Sequence, residues 1–207
     1  VAGNTVTYTE NSPAIALSPG LTANDVDSAN LTATTVQITG NYFNGQDVLS
    51  FVNAGGIAGV FSVATGTMTL TGSASVATWQ TALRSVAYVN TSENPSTLAR
   101  TVTWIVNDGA ALSLPVTSTV NVVAVNDAPV LTAGATLAFT EGGSAAVVDG
   151  TVTVSDVDSV NLTSATVQIT ANYANGEDVL AFVNAGGITG SFAPATGTLT
   201  LTGVATL

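Results

Sequence analysis

The 207-residue chain has no cysteine, no histidine and no lysine, and its only cations are Arg84 and Arg100. Each absence removes a class of chemistry. Without cysteine there is no disulfide, no thiolate nucleophile and no cysteine-ligated zinc. Without histidine the commonest general base and the usual transition-metal ligand are missing. Two arginines against 13 acids leave a net charge of −11, so the basic face that a nucleic-acid partner needs cannot be assembled. An anionic membrane surface is an equally poor partner. No apolar run approaches the roughly 18 residues of a membrane-crossing helix, and no membrane insertion is expected of this segment. Charged residues amount to only 7%, whereas apolar ones reach 46%. A disordered chain has the opposite balance; this one can fill a core.

What is present is a β pattern written twice. Residues 10–76 return at 141–207 with a constant offset of 131 and no gap, and about 40 of the 67 pairs are identical. Phe51-Val-Asn-Ala-Gly-Gly-Ile57 becomes Phe182-Val-Asn-Ala-Gly-Gly-Ile188, and Thr65-Gly-Thr-Met-Thr-Leu-Thr-Gly72 becomes Thr196-Gly-Thr-Leu-Thr-Leu-Thr-Gly203. Tandem modules of this size belong to arrays that hold, span or stick. The second copy covers 76 of 131 positions, so the chain is expected to be a window on a longer polypeptide.

Thr5–Thr9, Leu31–Ile38 and Thr101–Val106 alternate with period two and are expected to be strands. Asn44-Gly45, Gly55-Gly56, Thr65-Gly66, Asp108-Gly109 and Asn175-Gly176 separate the strand signals, and Asn-Gly and Asp-Gly favour tight hairpins. Trp79, Leu83 and Val86 keep helical spacing, which predicts one or two helical turns capped by Ser75 or Thr78 and followed by a strand through Val86–Asn90. The expected architecture is all-β: tandem Ig-like Greek-key β-sandwiches with a short helix in the repeat. Asn126-Asp-Ala-Pro129 is the clearest punctuation, and Pro129 holds Ala128 extended. It divides the chain into a first repeat, 1–127, and a second, incomplete one, 128–207.

Several motifs resemble a known family. Val125-Asn-Asp-Ala-Pro-Val-Leu131 resembles the inter-repeat linker of cadherins and of bacterial cadherin-like repeats. Asp25-Val-Asp27 and Asp156-Val-Asp158 resemble their Asp-x-Asp calcium motif, and Thr9-Glu-Asn11 and Thr140-Glu-Gly142 the glutamate motif near the start of each repeat. The stretch from Trp79 to Tyr88, then Ser92-Glu-Asn-Pro95 and Arg100–Gly109, is similar to the long cadherin-like repeats of giant secreted bacterial adhesins and to proteoglycan-type repeats. The chain departs from the family in its longer repeat and in having no clear Asp-Arg-Glu motif in mid-domain.

The resemblance implies calcium. That ion takes six to eight hard oxygen ligands, which carboxylates, asparagine and backbone carbonyls supply. If the Asp-x-Asp stretch is extended, its two carboxylates share a face and can reach one ion together. The expected junction set is Glu10, Asn126, Asp127, Asp156 and Asp158. Glu141, Asp25 and Asp27 are the equivalents for other junctions. Blander readings stand beside this one. Asp-x-Asp can simply cap a loop, Asn107-Asp-Gly109 suits a hairpin turn, and Glu93 is a weaker ligand candidate. Asp47, Glu177 and Asp178 follow Asn-Gly turns and are expected in solvent. Trp79, Trp104 and Tyr88 are expected in the core, and Arg84 and Arg100 beside acids as structural partners. The Thr rows at Thr65–Thr71 and Thr196–Thr202 suit ordinary solvent-facing strand positions.

No catalytic residue is expected, because the acids recur with the module and gather near its ends rather than forming one pair. The function implied is that of a non-enzymatic, extracellular, calcium-stiffened spacer in a large cell-surface adhesin, with neighbouring repeats of the same chain as its partners. Two rivals are a self-assembling subunit of an extracellular fibre or sheath, whose partners are identical chains, and a carbohydrate-binding module acting on cell-surface glycans.

Overall fold

The computed structural model describes residues 3–207, and the chain divides into two compact units at Val125/Asn126. The first is built from β1 (Thr5–Thr9), β2 (Ile15–Ala16), β3 (Asn30–Gly40), β4 (Asp47–Ser50), β5 (Ala58–Ser62), β6 (Thr67–Ser75), α1 (Val76–Arg84), β7 (Ala87–Asn90), β8 (Arg100–Asn107) and β9 (Val116–Val123). A six-stranded sheet has the order β1-β9-β8-β3-β6-β5, and a three-stranded sheet the order β2-β7-β4. Only β1 and β9 run parallel, Thr5 beside Thr119 through Thr9 beside Val123; the other pairs of the unit are antiparallel. The chain is all-β with a sandwich core, as its alternation predicts.

The alternation places the core directly. β3 buries Leu31, Thr34, Val36 and Ile38. The step of three between Leu31 and Thr34 falls at a bulge in the pairing with β6, where one extra residue shifts the inward phase. Val36, Leu70, Val102, Trp104 and Val120 of the larger sheet meet Leu49 and Tyr88 of the smaller. Thr69 and Thr71 of β6 face solvent while Met68 and Leu70, which alternate with them, are buried.

Helix α1 is nine residues, about two and a half turns. Ser75 caps it, its hydroxyl accepting the Thr78 N–H at 3.2 Å. Trp79, Ala82 and Leu83 fall on one face and are buried. The Trp79 indole N–H reaches the carbonyls of Leu31, 2.8 Å, and Gly72, 3.1 Å, so the helix is pinned to both strands beneath it.

Asn44-Gly45 does not make the expected hairpin. Gln46 and Asp47 donate back to the Phe43 carbonyl at 3.1 and 3.0 Å, and the turn carries the chain from one sheet to the other, since β3 and β4 have different partners. Thr65-Gly66 does close a hairpin, between β5 and β6.

The second unit contains β10 (Val130–Thr132), β11 (Thr153–Ser155), β12 (Asn161–Gln168), β13 (Thr189–Ala193) and β14 (Thr198–Thr206). β12, β14 and β13 form one sheet, and β10 pairs with β11. Details return at the offset of 131: the bulge of β3 recurs between Leu162 and Ser164. A Cβ on Gly72 would lie 2.3 Å from the Gly56 carbonyl oxygen, and one on Gly203 2.2 Å from that of Gly187.

The counterparts of β1, β2 and β4, at 136–140, 146–147 and 178–181, are irregular. A strand is sustained by a neighbour that takes its backbone donors and acceptors. In the first unit those neighbours are β9 and β7, and among the described residues of the second unit no strand takes either place. Phe139 shows the effect. It stands where Tyr8 stands in the first copy, yet it is 61% exposed against 1%.

Candidate functional site

The acids gather at turns rather than along extended strands. Asp25 Oδ1 accepts the backbone N–H of Ser28, 2.8 Å, and of Asp27, 3.2 Å; Asp156 Oδ1 does the same with Ser159 and Asp158, at 2.8 and 3.2 Å. Asp-x-Asp is therefore a side-chain-closed turn, which corrects the expectation of two carboxylates projecting from one strand face. One oxygen of the first aspartate is occupied by backbone, and the other stays available. Those N–H groups, Ser28 foremost, hold Asp25 below the usual carboxylate range, and Ser159 foremost does so for Asp156. Both stay ionised at neutral pH.

The register of β3 against β8, Ala33 beside Asn107, brings Asp108 to the Asp25 turn. Its Oδ2 accepts the Ser28 hydroxyl at 2.7 Å, and its Oδ1 accepts the N–H groups of Ala110 and Ala111 at 2.8 and 2.7 Å. The Ala111 and Ala110 N–H groups, with Ser28, lower its pKa to about 2. Asp25, Asp27 and Asp108 each offer an oxygen within 4.8 Å of the others. They line, together with Leu21, Leu31, Leu83, Trp104 and Leu114, a cavity of about 490 Å³. Asp108 is thus both the turn residue its Asn-Asp-Gly context predicts and the third member of an acidic trio. The signal for it was the pairing of β3 with β8, not any motif.

Glu10 lies elsewhere in the unit, at the end of β1. Its backbone N–H extends the parallel pairing onto the Val123 carbonyl, 2.9 Å, and its Oε2 accepts the Val125 N–H, 2.7 Å. The residue is 4% exposed, and its second oxygen, Oε1, has no hydrogen-bond partner. Glu93 offers a carboxylate oxygen within 4.8 Å of it, and is itself held by the Asn11 side-chain amide at 3.0 Å. Asn11 takes φ 61°, a left-handed turn that asparagine tolerates. Both arginines are engaged elsewhere: Arg84 donates to the Leu21 carbonyl and Arg100 to Asp47. A buried carboxylate beside a second one, with no cation of the chain between them, is costly unless a counter-ion arrives.

In the second unit the Asp127 N–H donates to Asp158 Oδ2 at 3.1 Å, so Asp127, Asp158 and Asp156 are linked through one turn. Asn126 is exposed and its side-chain amide donates to the Asp127 carbonyl. Glu141, the counterpart of Glu10, lies in an exposed turn at 140–143. The contrast follows from pairing, because Glu10 owes its burial to β9.

One charged site escaped sequence reasoning. Asp47, expected in solvent, is fully buried and forms an ion pair with Arg100, Nε to Oδ2 at 3.1 Å. Its carboxylate also accepts the Tyr88 hydroxyl at 2.6 Å, the Asn90 amide at 2.7 Å and the Phe43 N–H at 2.8 Å. The Arg100 guanidinium lies 4.8 Å from the centre of the Phe43 ring and donates to the Ser96 and Leu98 carbonyls. The Asn44-Gly45 turn suggested exposure; the only remote clue was Arg100 in a strand otherwise free of charge. Trp79 and Trp104, 0% and 2% exposed, offer no stacking platform for a sugar.

Comparisons with models of protein families, with curated proteins and with solved structures found no match.

Proposed function

We propose that the chain is a non-enzymatic structural repeat of an extracellular adhesive protein, stiffened by calcium. The observation that carries the reading is the buried Glu10 carboxylate, which has one oxygen without a partner and a second carboxylate, Glu93, beside it. The donor set fits the ion. Every candidate ligand is an oxygen, and calcium accepts such sets without strict geometry, whereas magnesium demands a near-octahedral shell. Glu10 and Glu93 would hold an ion at one place in the first unit, and Asp25, Asp27 and Asp108 another. In the second unit Asp156 and Asp158 are the candidates, with Asp127 and the exposed Asn126 flanking them and Glu141 standing apart. The ion would act by charge: neutralising crowded carboxylates removes their repulsion and ties together turns that are otherwise closed only by local hydrogen bonds. A row of such repeats would then behave as a stiff spacer.

The test is thermal unfolding of the 207-residue chain in 10 mM calcium, in EDTA, and in 10 mM magnesium. Extracellular modules bind calcium at about 0.1–1 mM, so saturation at 10 mM stabilises by about 1.4–2.7 kcal/mol per site. A calcium-specific rise in Tm of several degrees, reduced in both Glu10→Gln and Asp108→Asn, is expected. Identical melts in calcium and EDTA would rule the reading out.

A further inference from the structure

The cavity of about 490 Å³ in the first unit combines two kinds of lining. One is apolar. Leu31, Leu83 and Trp104 are buried members of the core, whereas Val26, Leu112 and Leu114 are exposed, Leu114 at 86%. The exposed three come from two loops, the Asp25 turn and the connection between β8 and β9, and the register of β3 against β8 brings those loops together. Large apolar side chains gathered in water around a concave site mark a surface that gains by being covered.

The other lining is anionic. Asp25, Asp27 and Asp108 contribute carboxylate oxygens that lie within 4.8 Å of one another. Neither arginine lines the cavity, and Arg84 donates its Nε–H to the Leu21 carbonyl instead. Sites for single small molecules run from about 300 to 1,000 Å³, so the volume suits one such ligand, and the lining selects its chemistry. A ligand carrying a carboxylate or phosphate is repelled by the three acids. A bare metal ion satisfies the acids and leaves the leucines wet. An organic cation with an apolar body satisfies both. The spacing of the acids narrows the head group further. A primary ammonium has three N–H donors at tetrahedral angles, and at charge-assisted N···O distances its three acceptors stand about 4.7 Å apart. The separations among the three aspartates fall within that reach.

We propose that this cavity is a binding site for a small primary amine carrying an alkyl or aromatic body. The ammonium group sits among Asp25, Asp27 and Asp108, one N–H to each carboxylate, and the body lies against Leu83, Trp104 and Leu114. Calcium and the ammonium are alternative occupants of the same three carboxylates, so the inference does not rest on the calcium reading.

The experiment titrates octylamine into the full 207-residue chain at pH 7 in EDTA and reads tryptophan fluorescence and calorimetric heat. Trp104 lines the cavity, so a saturable change in emission is expected. Half-saturation should lie at least tenfold higher for octanol, which keeps the tail and lacks the charge. It should do so too for trimethyloctylammonium, which keeps the charge and lacks the N–H donors. Asp108→Asn should weaken octylamine at least tenfold and leave octanol unchanged. Asp27→Asn, at an exposed position, should do the same, and it guards against a change of turn structure at Asp108. Leu114→Ser, equally exposed, should weaken octylamine and octanol alike. Absence of saturation overturns the proposal. So does an octylamine affinity matched by octanol or by trimethyloctylammonium, since either means that the three carboxylates do not read a primary ammonium. Binding indifferent to both aspartate changes would be non-specific attraction to a chain of net charge −11 and also overturns it. Should the calcium melt shift depend on Asp108, an octylamine affinity unmoved by 10 mM calcium would place the amine elsewhere and sink the idea.

Discussion

Asp47→Ala should be among the most damaging single changes in the first unit. The carboxylate is fully buried and serves four partners, Arg100, Tyr88, Asn90 and the Phe43 N–H. Removing it strands a guanidinium at 0% exposure with only the carbonyls of Ser96 and Leu98 and the face of the Phe43 ring beside it. Breaking a buried pair from one side costs about 3–5 kcal/mol, and the stranded tyrosine and asparagine push Asp47→Ala toward the upper end. Arg100→Met should cost less, about 3 kcal/mol, because Asp47 keeps its three other donors while the guanidinium's contribution is lost. At about 3–5 °C per kcal/mol for a unit of this size, the two changes should lower Tm by roughly 10–20 °C. The double variant should lose less than the sum of the singles by at least about 2 kcal/mol, the signature of direct coupling. Tryptophan fluorescence during urea unfolding reads this unit alone, since Trp79 and Trp104 are the only tryptophans of the chain. Single variants that both stay within about 1 kcal/mol of the parent would refute the reasoning, because a pair truly withdrawn from water cannot be broken so cheaply.

Three further predictions concern backbone and protons. Gly72→Ala places a Cβ 2.3 Å from the Gly56 carbonyl oxygen at φ +150° and should cost about 3 kcal/mol, seen as a lower urea midpoint; Gly203→Ala should disturb β14 in the same way, seen as faster amide exchange. Tyr88 is raised above its ordinary value by burial and then by Asp47. The stability it contributes is therefore complete below about pH 10 and lost above it, so absorbance at 295 nm should show Tyr88 ionising together with unfolding, and a separate early titration would count against its burial. Asp108 is lowered to about 2. Its contribution is present above the unfolded value near 3.9 and disappears as pH falls toward 2, so carbonyl-carbon NMR should place its midpoint at about 2, and a midpoint near 3.9 would count against the turn.

Much of the fold was legible because period-two alternation and burial are the same fact in a sandwich. The strands at Thr5–Thr9, Leu31–Ile38 and Thr101–Val106, the core tryptophans and the helix followed from local pattern alone, and of its two cap candidates the structure uses Ser75. What local pattern misses is pairing. Asn44-Gly45 has the chemistry of a hairpin, yet its flanking strands prefer partners in different sheets. Asp47 looks solvated beside that turn, and only the distant Arg100 reverses the reading. Asp108 joins Asp25 and Asp27 through the alignment of two strands some 70 residues apart in sequence. Asp-x-Asp misled in the other direction: the spacing was visible, but a short aspartate beside free N–H groups closes a turn before it can lie flat in a strand.

The parallel pairing of β1 with β9 has a mechanical meaning. The first and last strands of the unit lie side by side and point the same way, from Thr5 beside Thr119 to Thr9 beside Val123. A pull applied to the two ends of this unit therefore drags the neighbours past one another along their length. The bonds of the pair, with Glu10 N on Val123 and Thr119 N on Asn4 added at its ends, must yield together under shear rather than one after another as in a zipper. Tension delivered through the backbone meets its strongest resistance at the place where the chain enters and leaves the fold.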